Sequence, residues 1–125
     1  MTDLNGAWLG TYWQDDQPTR FEATLVQSNN VLTGSILDDG PTGEATLNGE
    51  VIGRRVSFVK RYLTNHPYPI QYDGTVSEDG NSLQGNWILE GSSSSGTWEA
   101  RRNSDDLMAD LSKQLAKQLS LVTSR

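Results

Sequence analysis

Gly6-Ala7-Trp8 opens the first strand-like segment of this chain and Arg102 closes the last, with eight short segments of alternating polarity from end to end. A tryptophan near the start of the first segment and an arginine near the end of the eighth can meet only if the sheet closes on itself. The segments cover positions 7–14, 20–27, 31–38, 44–51, 55–63, 69–76, 82–90 and 96–102. Each combines a period of two with β-branched or aromatic residues. The joints are turn chemistries, among them Asp15-Asp16-Gln17-Pro18, Ser28-Asn29-Asn30, Gly53-Arg54 and Glu78-Asp79-Gly80-Asn81: Gly and Asn supply positive φ and Pro presets the bend. Every connection is too short for a parallel crossover, so consecutive strands pair antiparallel. A meander with edges to hide closes most simply as a barrel.

The expected fold is therefore all-β, an eight-stranded antiparallel up-and-down β-barrel over residues 1–103. A C-terminal amphipathic α-helix is expected over 104–125. Ser104 is a suitable N-cap, and Asp105 and Asp106 suit the positive end of a helix. Leu107, Met108, Leu111, Leu115, Leu119 and Val122 recur at helical spacing as one apolar stripe.

Bulk properties exclude several function classes. A chain of 125 residues is one domain. Its net charge of −6 and the lack of any Lys/Arg run leave no nucleic-acid footprint, and anionic membranes would repel it. With no cysteine there are no disulfides, thiolate metal sites or cysteine nucleophiles. No stretch reaches the ~18 apolar residues of a membrane span. The first 20 positions show no basic start followed by an apolar run, so a cytoplasmic location is the expectation.

Up-and-down order sorts the loops. With Trp8 at the floor, the connections at 15–19, 39–43, 63–69 and 91–95 gather at the opposite end, and the tighter turns lie beneath. Long loops at one end describe a cup with one mouth. Counting inward positions by twos from Trp8 gives four levels. The second is rich in glycine (Gly10, Gly34, Gly49, Gly74 and Gly85), which lets strands coil tightly and makes room for Trp8 and Phe58. The third holds Tyr12, Ala23, Ile36, Leu47, Lys60, Tyr72, Trp87 and Trp98, and the mouth level Gln14, Phe21, Asp38, Ala45, Tyr62, Ile70, Leu89 and Gly96.

Aromatic walls with a few directed polar groups are how small-molecule pockets are generally built. The expected ligand-binding residues are thus Tyr12, Ile36, Lys60, Tyr72, Trp87 and Trp98, with Asp38 and Tyr62 near the entrance. Eight strands can equally be filled by these side chains as core. An inward ammonium at Lys60 needs a carboxylate, a hydrogen-bond partner or an aromatic face. Asp38, one level higher, is a candidate partner. Otherwise Lys60 snorkels to the mouth and both charges are solvated. Lys60 could also fix the anionic end of a ligand, although Asp15, Asp16, Asp39 and Glu90 make the mouth acidic and favour neutral or cationic guests.

With these features the chain resembles the calycin group: lipocalins, fatty-acid-binding proteins and, most closely, avidin and streptavidin. Gly6-Ala7-Trp8 resembles their G-x-W opening, and Arg102 the last-strand arginine that packs over that tryptophan. Further likeness to avidins runs through Leu32-Thr33-Gly34, Leu47-Asn48-Gly49, Val56-Ser57-Phe58, Tyr72-Asp73-Gly74, Leu83-Gln84-Gly85-Asn86-Trp87 and Trp98-Glu99-Ala100-Arg101-Arg102. The resemblance implies a binding barrel. Trp87 and Trp98 match two wall tryptophans of the avidin biotin site, and Phe58 stands where a third is expected. The first-strand positions that would grip the ureido oxygen are Gly10, Tyr12 and Gln14 here, and Ile36 replaces a tyrosine donor. A site without its buried donors loses much of its polar recognition, so biotin is not the expected ligand. Small bacterial barrels of unassigned function are an equally good home.

For an enzyme one would want a nucleophile with its base, or paired carboxylates, in a pocket. The single histidine, His66, reads as a loop residue, and metal sites usually need more than one such ligand. No catalytic residue, metal or cofactor is expected. The expected partner is a small apolar or aromatic molecule. The competing reading is assembly: Leu9, Trp13, Val26 and Leu37 point outward on three neighbouring strands. Such a surface is usually covered, by the C-terminal stripe in the same chain or by a second chain in a homo-oligomer.

Overall fold

The first strand is hydrogen-bonded along both edges. β1 (Gly6–Gln14) pairs with β2 (Gln17–Ser28) on one side and with β8 (Ser95–Arg102) on the other. Between them run β3 (Val31–Asp38), β4 (Glu44–Ile52), β5 (Arg55–Tyr62), β6 (Ile70–Val76) and β7 (Ser82–Leu89), each antiparallel to its neighbours in a closed barrel of chain order. This computed structural model describes residues 3–40, 43–64 and 68–103. The helix expected over 104–125, and His66, lie outside the described residues.

Alternation explains which side chains enter. In β2, Phe21, Ala23 and Leu25 are buried while Arg20, Glu22, Thr24 and Val26 face out, the period of two that a half-buried strand requires. All the strands contribute to one apolar core, from Trp8 and Leu32 near the floor to Ile70 below the mouth.

Two expectations need correction. The loop at 15–19 is a two-residue turn: Gln14 pairs with Gln17, and Asp15 and Asp16 take φ of 51° and 63°. Two left-handed residues in succession make the hairpin turn whose twist matches the strands, and Asp tolerates that region. Pairing then runs on through Pro18 and Thr19. The interior levels, secondly, do not coincide with rows of paired residues. Starting at Trp8, the pairs pass through Ala23, Ile36 and Ala45 to Tyr62. A row that begins at the floor on β1 thus ends at the mouth on β5. Closing a sheet demands strand tilt and a sheared register, and this climb is its signature.

The inward glycines are where strands and rings press closest. A methyl group at Gly85 would fall 2.5 Å from the Gly74 Cα, and one at Gly74 would fall 2.7 Å from the Trp98 indole. A methyl at Gly10 would collide with the Phe21 ring and one at Gly49 with Phe58. The space left by glycine therefore serves Phe21, Phe58 and Trp98.

Trp8 belongs to the floor. Its indole N–H donates to the Leu4 carbonyl at 2.9 Å, and the Arg102 guanidinium lies 4.7 Å from its ring centroid. Trp8 and Arg102 are also paired across the β1–β8 seam. The guanidinium donates to the carbonyls of Asn5 (2.8 Å), Asp3 (2.6 Å) and Gly80 (3.0 Å), and through Nε to Asn81 Oδ1 (3.2 Å). These bonds draw the segment before β1 across the bottom of the barrel, where Leu4 is fully buried. Leu4 carries no periodic signal of its own, and its role is visible only once the floor is assembled.

Candidate functional site

Asp38, the last residue of β3, and Lys60 of β5 meet inside the barrel. The Lys60 Nζ donates to both carboxylate oxygens at 2.9 Å, and the two residues are 0% and 3% exposed for Lys60 and Asp38. The alternative of two solvated charges at the mouth is thereby overturned. A lysine stem rising from mid-strand reaches a carboxylate one level above it, and each charge meets the other instead of water.

Tyrosines complete the enclosure. Tyr62 donates to Asp38 Oδ2 at 2.5 Å and Tyr12 to the same oxygen at 3.3 Å. The Lys60 ammonium lies 4.8 Å from the ring centroids of both Tyr12 and Tyr62 and 5.7 Å from that of Tyr72, within the range of cation–π attraction. Burial pushes the Lys60 ammonium below the usual lysine range, with Asp38 pulling it back. Burial, followed by the proximity of Asp38, pushes the Tyr62 and Tyr72 phenols well above their ordinary value. Tyr12 is raised mainly by burial.

Above this cluster lies a cavity of about 220 Å³ lined by Tyr12, Gln14, Tyr62, Ile70, Tyr72, Trp87 and Leu89. Its wall comes from β1, β5, β6 and β7. On the opposite side the mouth-level residues Phe21, Asp38 and Ala45 are buried, so the hollow is off-centre. Trp87 is held by its N–H, which donates to the Trp13 carbonyl at 3.0 Å, and stands edge-on to Tyr12. Larger depressions, such as one of about 660 Å³ across β1, β2 and β8, lie on the outer face of the sheet. They lack the aromatic wall.

Of the expected site residues, Tyr12, Tyr62, Tyr72 and Trp87 line the cavity, and Lys60 and Asp38 lie beneath it. Ile36 and Trp98 are not in its wall. Trp98 packs deeper, with ring centroids 5.7 Å from Phe58 and 5.5 Å from Tyr72, and its N–H donates to the Asp73 carbonyl. Ile36 is core, paired between Ala23 and Ala45. Gln14, Ile70 and Leu89, which the inward count places at the mouth level but not among the ligand-binding residues, join the wall. Alternation tells direction, but how high the filling reaches depends on the shear. Among the described residues no group of three or more His, Cys, Asp or Glu side chains is placed to hold a metal ion.

Comparison of the sequence with protein-family models and with curated proteins finds no match to either. Among solved structures the chain is similar to a redesigned β-barrel, mFAP1, bound to DFHBI, with a TM-score of 0.65 and 14% identity. That likeness covers 79% of this chain and 94% of the other. At such low identity it shows a shared fold: an eight-stranded antiparallel barrel.

The buried pair makes a stability prediction. Lys60→Met leaves the Asp38 carboxylate without its cation and should cost about 3–5 kcal/mol in urea denaturation, whereas the double variant Lys60→Met/Asp38→Leu should recover much of the loss. Equal losses in the single and double variants would contradict the pairing. The tyrosines make a pH prediction. Groups whose folded pKa is raised contribute stability that is complete below about pH 10, the unfolded phenol value, and lost as pH climbs through the folded values. Ionisation of Tyr12, Tyr62 and Tyr72, read by tyrosinate absorbance, should therefore coincide with loss of near-ultraviolet dichroism above about pH 10. Their ionisation with the dichroism intact would contradict it.

Proposed function

We propose that the protein binds a small apolar or aromatic molecule in the mouth cavity, without catalysis, as a calycin-like barrel. The observation that carries this reading is a hollow at one end of the barrel, above a packed apolar core and walled by Tyr12, Tyr62, Tyr72 and Trp87. Its volume is below the ~300–1,000 Å³ of ordinary drug-sized pockets, which limits the guest to one or two fused rings. The four rings supply shape and dispersion, and the ion pair below is already satisfied by its own partners. The barrel bound to DFHBI supports the reading by analogy of architecture alone.

Titration with neutral one- and two-ring aromatics should quench or shift the emission of Trp87 and saturate. A Leu89→Trp variant, filling the cavity, should keep the fold and reduce affinity about tenfold or more, as a steric block of a small pocket does. Indifference of the emission across the panel, with calorimetry equally silent, would sink the reading.

A second reading, assembly through the outer face, rests on Leu9, Val26 and Leu37, which are 41%, 53% and 49% exposed on β1, β2 and β3. Patches of this kind are usually covered. Chains lacking residues 104–125 should then shift cleanly from oligomer to stable monomer on size-exclusion chromatography, whereas loss of monomer solubility would mark cover within one chain and dismiss assembly, as would an unchanged monomer.

A further inference from the structure

The polar groups around the cavity differ in what they have left to offer a guest. The Trp87 N–H is engaged by the Trp13 carbonyl. A phenol has a single proton, and those of Tyr62 and Tyr12 are turned to Asp38. The Lys60 ammonium, fully buried, is bonded to both carboxylate oxygens. Its charge is matched by Asp38, and none of the residues in the cavity wall is charged.

The Gln14 amide stands exposed at the rim, already in contact with water, and among the buried polar groups of the wall Tyr72 is the exception. Its ring is fixed by stacking on Phe58, with centroids 4.9 Å apart at 12°, and by the edge of Trp98. Among the described residues its hydroxyl makes no hydrogen bond. Yet no fully occluded side-chain oxygen or nitrogen there lacks a partner. The Tyr72 hydroxyl must therefore touch open space, although the residue as a whole is 2% exposed. Tyr72 lines the mouth cavity, so that space is the cavity. A nearly buried phenol that keeps both its donor and its acceptor, held on a ring that cannot swing away, is a preplaced partner for a ligand group.

Resting on the binding function proposed above, we propose that the cavity selects an aromatic guest whose inner end is neutral and hydrogen-bonds with the Tyr72 hydroxyl, a phenol being the simplest case, and that it rejects carboxylates. A neutral hydroxyl can both accept from and donate to Tyr72. A carboxylate would lose its hydration and find no unpaired cation in the wall, because Lys60 is already committed to Asp38. The exposed Asp15, Asp16, Asp39 and Glu90 on the connections at the mouth end add like charge along its approach. Anchoring of an anionic ligand by Lys60 does not survive this geometry.

The test compares 2-naphthol, 2-methylnaphthalene and 2-naphthoate by calorimetry at pH 7 on the full chain and on Tyr72→Phe, which keeps the ring and its stacking. The naphthol should bind about tenfold more tightly than the hydrocarbon, since leaving the Tyr72 hydroxyl unpaired against an apolar group is costly. The naphthoate should bind more weakly than the naphthol by at least as much. In Tyr72→Phe the naphthol should lose its advantage while the hydrocarbon is unaffected. Naphthoate binding as tightly as naphthol would overturn the inference, as would equal binding of naphthol and hydrocarbon; both results leave the binding function standing. If none of the three binds, the binding function fails and this selectivity with it. The three-way comparison on the unaltered chain decides the question even if Tyr72→Phe were to misfold.

Discussion

Everything inside this molecule depends on the seam where β8 pairs with β1. Five residue pairs from Trp8–Arg102 to Tyr12–Trp98 join the ends of a meander that would otherwise expose two open edges. At the lower end of that seam, the same two residues that pair also stack, guanidinium over indole, and the arginine gathers the carbonyls of Asp3, Asn5 and Gly80. Closure and the floor are thus one event. The seam's upper end sets Tyr12 beside Trp98, so the same closure brings β1 into the cavity wall.

Closure also forces shear, and shear decides where the barrel is solid and where it is hollow. Because paired rows climb from Trp8 to Tyr62, residues at one count along their strands stand at different heights. Phe21 and Ala45 are sealed while Tyr62 and Leu89 reach the opening. The hollow consequently sits against β1, β5, β6 and β7, above the buried ion pair. That pair is an expensive thing to place in a core, and its cost is offset by the bidentate contact, by two phenol donors and by three ring faces. In turn it orients those tyrosines and commits their protons, leaving Tyr72 as the uncommitted hydroxyl of the wall. Polar recognition here is defined by subtraction.

Much of this was legible in advance because it is local. Alternation in segments such as 31–38 and 82–90 yields strand, direction and which side chains enter, since a period of two is a property of the backbone itself. The turns Ser28-Asn29-Asn30 and Gly53-Arg54 announce hairpins by their tolerance of positive φ, realised at Asn29 and Gly53. Asp15-Asp16 reads in sequence as the start of a longer loop, because carboxylates are a weaker left-handed signal than Gly or Asn. Lys60 and Asp38 could be placed inside, but nothing in their spacing says that they touch.

What the amino-acid order determines unaided is therefore the eight strands, their inward faces and the presence of Trp8, Lys60, Tyr72 and Trp87 within the enclosure. The assembled barrel decided the rest: that Lys60 is matched by Asp38, that Trp98 and Ile36 are filling and not wall, and that of the mouth-level residues Gln14, Tyr62, Ile70 and Leu89 line the hollow while Phe21 and Ala45 do not. Direction follows from each residue's own backbone. Height and partnership follow from register, which exists only when all eight strands have closed upon one another.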